Sequence, residues 1–230
     1  MASSFLTTGK KIVAIGRNYA AHAKELKNAV PTEPFFFLKP TTSYLVAPSP
    51  IEIPRGVEAH YEVELGVVVG GTPGRPIRDI PAAEAMSHVA GYTLSIDMTA
   101  RNVQDKVKKA GLPWSTAKGF DTFTPTSGFI DRANVPDPSD LRLWLKVNGQ
   151  TKQHGTTADM IFDIPTLIQH VSGIMSLEAG DLILTGTPQG VGQVVDGDLI
   201  EAGLETPDGK SLEQIKFEVK NRVGGYRFKL

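Results

Sequence analysis

The stretch His60-Tyr61-Glu62-Val63-Glu64-Leu65-Gly66-Val67-Val68-Val69 does most to set the class of this chain. Residues 61–69 are rich in β-branched and aromatic side chains and run into Gly70-Gly71, a pattern that predicts a strand. In a strand, residues two apart share a face, with Cα atoms roughly 6.6 Å apart. Glu62 and Glu64 therefore project together just ahead of a strongly apolar run. Two carboxylates side by side near a core repel each other and lose hydration. Such a pair persists when it is protonated, paired with a base or bound to a cation.

A third carboxylate, Asp97, ends the apolar run Ala90-Gly91-Tyr92-Thr93-Leu94-Ser95-Ile96, which also predicts a strand. The following Met98-Thr99-Ala100-Arg101-Asn102-Val103-Gln104 reads as a helix start. Three carboxylates in a chain without cysteine suit Mg²⁺ or Mn²⁺, which take oxygen ligands and keep waters that a chelating substrate can replace. Spacing alone leaves a second reading open: Glu62 and Glu64 face solvent on an edge strand, and Asp97 caps a helix.

The 230 residues are enough for one domain with a substantial core, and residues 1–230 are expected to form one, with a short segment at 1–10 and a tail at 221–230. Lys and Arg (24) nearly balance Asp and Glu (25), so no basic surplus points to nucleic acid or to an anionic membrane. The lack of cysteine excludes disulfides and thiolate metal sites. No apolar run has the length of a membrane span, and the first residues lack a secretory h-region and the arginines of a transit peptide. The final Phe228-Lys229-Leu230 resembles a peroxisomal tripeptide only faintly and is taken as chance.

Along the chain, strands are expected at 12–16, 35–38, 61–69, 89–97, 141–147, 181–185, 197–203 and 214–220. Helices are expected at 19–28, 81–88, 99–110 and 164–175, with proline-rich loop and short strand pieces between 41 and 56. Asn148-Gly149 is a hairpin turn signal. Many short strands with few scattered helices predict a mixed α+β chain that is mostly β, without the regular alternation of a doubly wound fold.

Other residues offer chemistry. His22 and Glu25, three apart on the first predicted helix, share a face. A carboxylate bonded to one imidazole nitrogen makes the other a better base, although on spacing alone an ordinary solvated helix surface is the more frequent reason for such a pair. Lys118, in Thr116-Ala117-Lys118-Gly119-Phe120, suits an anion-stabilising or Schiff-base lysine, or an ordinary surface one. Arg101 and Gln104 follow Asp97 on one turn and suit recognition of a carboxylate or carbonyl, and Arg17 is a further candidate anion binder. The glycine-rich loop 186–192 lacks nucleotide-binding spacing, but brings the Thr187 hydroxyl forward as a donor to a small ligand, unless it is merely a tight turn. His60 lies beside the acidic pair.

Taken together, Gly16-Arg17-Asn18-Tyr19-Ala20-Ala21-His22, Phe37-Leu38-Lys39-Pro40, Glu62-Val63-Glu64-Leu65-Gly66, Asp97 to Gln104, Leu112-Pro113-Trp114 with Lys118, and Leu184-Thr185-Gly186-Thr187-Pro188 resemble the fumarylacetoacetate hydrolase family. The likeness is to its small acylpyruvase and oxaloacetate decarboxylase branch, and especially to fungal members, some of which resemble oxaloacetate tautomerases. It runs from about residue 11 to 219. It implies a β-roll with short peripheral helices, usually a homodimer, with Mg²⁺ or Mn²⁺ held by Glu62, Glu64 and Asp97. By the same likeness His22 and Glu25 are a water-activating dyad on a lid helix, and Lys118 stabilises charge. The likeness also implies that Arg17, Gln104 and Thr187 contact substrate. Two positions depart from the pattern: Asn102 stands where many relatives carry aspartate, and Tyr61 where histidine is frequent.

The expected activity is on small 2-oxo and 2,4-dioxo acids through an enolate stabilised by the metal. Acylpyruvate hydrolysis with oxaloacetate decarboxylation leads. Keto–enol tautomerisation of oxaloacetate is the alternative, and hydration or isomerisation of an aromatic-degradation intermediate a further one. Schiff-base chemistry at Lys118 and a non-catalytic ion-binding protein are the competing classes. The compartment stays open between mitochondrion and cytosol.

Overall fold

The computed structural model describes residues 4–25 and 29–229. In chain order the elements begin with α1 (Phe5–Thr8), β1 (Ile12–Gly16), α2 (Ala20–Glu25), β2 (Phe35–Lys39), β3 (Tyr44–Leu45), β4 (Ile51–Ile53), β5 (Ala59–Tyr61) and β6 (Val63–Val69). There follow α3 (Ala82–Ala85), β7 (Val89–Ile96), β8 (Thr99–Ala100), α4 (Arg101–Lys109), α5 (Ser115–Lys118), β9 (Thr124–Pro125) and β10 (Ile130–Asp131). The last part holds β11 (Arg142–Val147), β12 (Gln150–Thr156), α6 (Ile164–Ser172), β13 (Leu182–Leu184), β14 (Gly192–Val194), β15 (Leu199–Glu205) and β16 (Ser211–Asn221).

Two large sheets share one core. The six-stranded sheet runs β10-β7-β6-β13-β1-β2, and the five-stranded sheet runs β12-β11-β15-β16-β4. Both are antiparallel except for the β1–β13 and β16–β4 pairs, so the chain is mixed α+β with mostly strands, as its composition predicts. Leu65 and Leu94 of the first sheet bury against the same cluster as Leu143, Ile200 and Phe217 of the second. β6, fully buried along its length, sits in the interior of its sheet between β7 and β13. That placement removes the edge-strand reading of Glu64.

The predicted strand over 61–69 is two strands. The chain leaves a small sheet, β14-β5-β8, at Tyr61 and joins the six-stranded one at Val63, with Glu62 at the break. The helix expected at 19–28 is observed over Ala20–Glu25, and its last three positions lie outside the described residues. The helix expected at 99–110 starts later because Thr99 and Ala100 pair with β5 before the chain turns. At the predicted hairpin turn, Asn148 and Gly149 both take positive φ (51° and 77°), as a two-residue turn with a matching twist requires. The helix at 164–175 is shorter, Ile164–Ser172, capped by the Asp163 side chain, which accepts from the Thr166 N–H at 2.9 Å.

Candidate active site

The break at Glu62 is what assembles the acidic cluster. The Asp97 N–H donates to the Glu62 carbonyl at 2.8 Å, just past the Val63–Ile96 pairing of β6 with β7. Asp97, leaving β7, thereby stands beside Glu62, and Glu64 follows two residues along β6 on the same side. One carboxylate oxygen from each of Glu62, Glu64 and Asp97 lies within 4.8 Å of the others, and all three residues are buried.

The surrounding charges are unevenly shared. The Lys118 ammonium donates to Asp97 Oδ2 at 2.5 Å and to Glu62 Oε2 at 3.0 Å. Lys39, fully buried at the end of β2, donates to Asp97 Oδ1 at 2.5 Å and to the Phe123 carbonyl at 2.6 Å. Arg101 donates to Glu62 Oε1 at 2.5 Å, and Thr99 Oγ1 donates to the same oxygen at 3.0 Å. Glu64 accepts only the Gly186 N–H, at 2.7 Å, and has no cation partner among the described residues.

Ionisation follows this arrangement. Burial works against the Glu62 anion, yet Lys118 and Arg101 outweigh it and hold its carboxyl well below the usual range. Burial, together with the charges of Asp97 and Glu62, pushes Glu64 well above that range. Lys118 stays protonated despite its burial, because Asp97 and Glu62 flank it. A Schiff base needs a free amine, so this setting disfavours the Lys118 imine route. Three buried carboxylates within reach of one ion, one of them lacking a counter-charge, fit a hard divalent cation: the donors are all oxygen, and a dication supplies the charge Glu64 lacks.

The cluster forms the floor of a cavity of about 310 Å³ that is also lined by His22, Arg17, Gln104, Lys118 and Thr187, with Ile15, Phe37 and Trp114 as apolar wall. His22 is buried on α2 with Nδ1 3.4 Å from Glu25 Oε2, and Glu25 also accepts the Gly190 N–H at 3.1 and 3.2 Å. Arg17 holds φ of 60°, a sparsely populated conformation for a residue with a side chain. Arg101, expected to read substrate, also lines the cavity and already donates to Glu62 and, at 2.6 Å, to Gln104 Oε1. That contact leaves the Gln104 NH₂ as the free donor of its amide. His60 accepts weakly from Arg101 Nε at 3.4 Å, and burial together with Arg101 lowers its pKa to about 4.

Thr187 corrects its expected role. Its hydroxyl donates to the Val63 carbonyl at 2.8 Å and accepts from Gln153 Nε2 at 2.8 Å, so its proton is already used. Of the two departures, Asn102 bonds the Gly56 carbonyl (2.8 Å) and the Glu58 N–H (3.2 Å), away from the acidic cluster. Tyr61 packs against Gly192, where an added Cβ would come within 2.6 Å of its hydroxyl.

Two residues of the site were not singled out from sequence. Lys39 had a signal: it ends a phenylalanine-rich strand on the same face as Phe37, an inward position for a charge. Gln153 had none, because β12 reads Gln-Thr-Lys-Gln-His-Gly-Thr without alternation.

With this geometry in hand, the chain compares closely with known proteins. Residues 11–222 match the model of the fumarylacetoacetate (FAA) hydrolase C-terminal domain. The chain is 55% identical over 204 residues to "Oxaloacetate decarboxylase, mitochondrial" of Dictyostelium discoideum, covering 88% of this chain and 92% of that protein. It is 51% identical over 224 residues to "Oxaloacetate tautomerase FAHD1, mitochondrial" of Arabidopsis thaliana, covering 97% and 96%. Among solved structures, yeast ynq8, a fumarylacetoacetate hydrolase family protein, superposes with a TM-score of 0.88 at 39% identity, over 99% of this chain and all of that one. Fumarylpyruvate hydrolase from Pseudomonas aeruginosa, solved with Mn²⁺ and pyruvate, gives 0.83 at 32% identity, over 93% and 91%. No helix among the described residues is long and apolar enough to cross a membrane. The chain is an enzyme of the fumarylacetoacetate hydrolase family.

Proposed function

We propose that this enzyme acts on short 2-oxo and 2,4-dioxo acids, cleaving acylpyruvates and decarboxylating oxaloacetate, with Mg²⁺ or Mn²⁺ held by Glu62, Glu64 and Asp97. The observation that carries the reading is the meeting of that buried triad with His22 and Lys118 on one cavity. A divalent ion bound there supplies Lewis acidity to the 2-oxo carbonyl.

The protein's own groups account for the rest. Glu25 accepts from His22 Nδ1, which fixes the tautomer and leaves Nε2 as the base toward the cavity. In hydrolysis His22 would take a proton from the water that adds to the acyl carbon; the C–C bond then breaks with its electron pair passing to C3 of the pyruvate fragment, which takes that proton back from His22 while the acyl group leaves as its carboxylic acid. The protonated Lys118 balances negative charge on the substrate, which Asp97 and Glu62 let it do without losing its proton. The free NH₂ of Gln104 offers a donor to a substrate oxygen, and Arg17 adds a positive charge.

A second reading, keto–enol tautomerisation of oxaloacetate, is favoured by the names of relatives at 50–53% identity from plants and mammals. It needs only a proton moved between C3 and the 2-oxo oxygen. The deciding experiment is turnover of the Mg²⁺-loaded protein on acetylpyruvate and oxaloacetate in parallel. Pyruvate from acetylpyruvate, abolished by EDTA and by Glu62→Ala, establishes the hydrolase; loss of enol-oxaloacetate without pyruvate establishes the tautomerase. Silence on both favours an isomerase or hydratase. His22→Ala is expected to abolish acylpyruvate cleavage and spare the other two reactions, because hydrolysis alone requires an activated water. Equal loss of all three overturns that division. The same reading takes residues 1–230 as one catalytic domain and the assembly as a homodimer, to be checked by light scattering; between mitochondrion and cytosol, the names of the relatives favour the mitochondrion, to be checked by localisation of the tagged protein.

A further inference from the structure

Gln153 is buried and multiply bonded, yet the chemistry above makes no use of it. It is the one fully buried residue of β12, an edge strand of the five-stranded sheet. Its side chain nevertheless reaches the six-stranded sheet. The β11–β12 register shifts between Leu145, paired with Gln153, and Lys146, paired with Thr151. Lys152 is left over as a bulge, a device that re-aims a neighbouring side chain.

The amide makes three hydrogen bonds. Its Oε1 accepts the Val63 N–H at 2.9 Å, the backbone amide between Glu62 and Glu64. Its Nε2 donates to Thr187 Oγ1 at 2.8 Å and to the Pro188 carbonyl at 2.9 Å. Since Val63 N–H only donates and a carbonyl only accepts, the amide has one orientation. The loop held at Thr187 and Pro188 carries both ends of the site: its Gly186 N–H holds Glu64, and its Gly190 N–H holds Glu25. The loop lies hard against β12, where a Cβ added to Gly155 would come within 2.5 Å of Pro188 Cβ, and one added to Gly190 within 2.1 Å of the Lys152 carbonyl.

We propose that Gln153 is a positioning residue that sets Glu62 and Glu64 at ion-binding separation and fixes them to the loop that orients Glu25. The ion site and the proton-transfer dyad then share one mount. This rests on the triad binding a divalent ion, and the test separates the two claims. Mn²⁺ binding is measured by electron paramagnetic resonance of the free ion, on wild type, Gln153→Glu and Gln153→Met. Gln153→Glu keeps size and the acceptor but loses both donors; Gln153→Met loses all three bonds. The expected result is Mn²⁺ affinity weakened about 10- to 100-fold in both, as for groups that orient metal ligands elsewhere. At saturating Mn²⁺, a kcat defect on acetylpyruvate is expected to remain with little change in KM, because the Glu25 mount has also shifted. Leu145→Val, opposite on β11, is the control: it lowers melting temperature and leaves Mn²⁺ affinity unchanged.

Wild-type Mn²⁺ affinity in the Gln153 variants, with only the melting temperature lowered, overturns the proposal. So does failure of both variants to fold with Mn²⁺ present, which assigns Gln153 to fold stability alone. A wild-type protein that binds no Mn²⁺ overturns the ion-site reading together with it.

Discussion

Metal binding at the triad should expel a proton from Glu64. In the metal-free site Glu62 and Asp97 carry their own cation partners, whereas Glu64 has a single backbone N–H at 2.7 Å. Two charges 4.8 Å apart, the outer limit for this cluster, repel by roughly 3.5 kcal/mol at an effective dielectric of about 20. A hydrogen bond to a charged group returns only about 1.5–3 kcal/mol. Burial pushes the Glu64 carboxyl up most, and the repulsion, offset only in part by Lys118, adds to it, so the protonated form is favoured. A bound dication reverses the balance. Over the pH range in which metal-free Glu64 is protonated, each ion should release one proton, and affinity should rise tenfold per pH unit, about 1.4 kcal/mol. Calorimetric Mn²⁺ titrations in buffers of different ionisation heat count that proton. Release of none at any pH, or a Glu64→Gln variant that keeps the pH slope, refutes the reasoning. Stability follows the same sign. A carboxyl raised in the folded state contributes stability that is present at low pH and lost as pH rises through its folded-state pKa. The metal-free protein should therefore lose this contribution as pH rises, and saturating metal should remove the loss. Glu62, held low, contributes in the opposite sense: its share is present above the ordinary carboxyl pKa and is lost only in strong acid.

Lys39→Met leaves Asp97 Oδ1 without its donor and the Phe123 carbonyl with the Met98 N–H alone; breaking a buried pair should cost about 3–5 kcal/mol. Denaturant midpoints in EDTA measure it, and an unchanged midpoint contradicts the ion pair. Gly190→Ala places a Cβ within 2.1 Å of the Lys152 carbonyl at φ of 95°, moving the loop off Glu25. Acetylpyruvate cleavage should fall by up to about 10²-fold, while a wild-type rate would show that the Gly190 N–H is dispensable. Borohydride with substrate should leave the mass of Lys118 peptides unchanged, since its ammonium is pinned by Asp97 and Glu62; an adduct restores the imine mechanism.

What was legible in the sequence was local. Apolar, β-branched runs indicated the strand that carries Glu64 and the one that ends just before Asp97, and the spacing of His22 and Glu25 put them on one helical face. The break at Glu62 was not legible, because Tyr61 to Val69 is continuous in β propensity and only tertiary pairing divides it between two sheets. Nor was the engagement of Arg101 with Glu62, since a helix start shows that an arginine faces a site but not which acid reaches it first. Thr187 was placed rightly at the cavity and wrongly as a donor, because the group that takes its proton, the Val63 carbonyl, lies 124 residues away.

Those separations have a kinetic meaning. The contacts that make the acidic site join residues 58 apart (Lys39 to Asp97), 56 apart (Glu62 to Lys118) and 122 apart (Glu64 to Gly186). Pairing of β6 with β7 brings the three carboxylates together over only 35 residues, but loop closure over the longer distances delays the lysines and the Gly186 N–H that balance and hold them. An ion in solution finds the finished site only once these distant contacts have closed. It then stabilises the finished protein by mass action, in proportion to its concentration, and should slow unfolding without speeding folding.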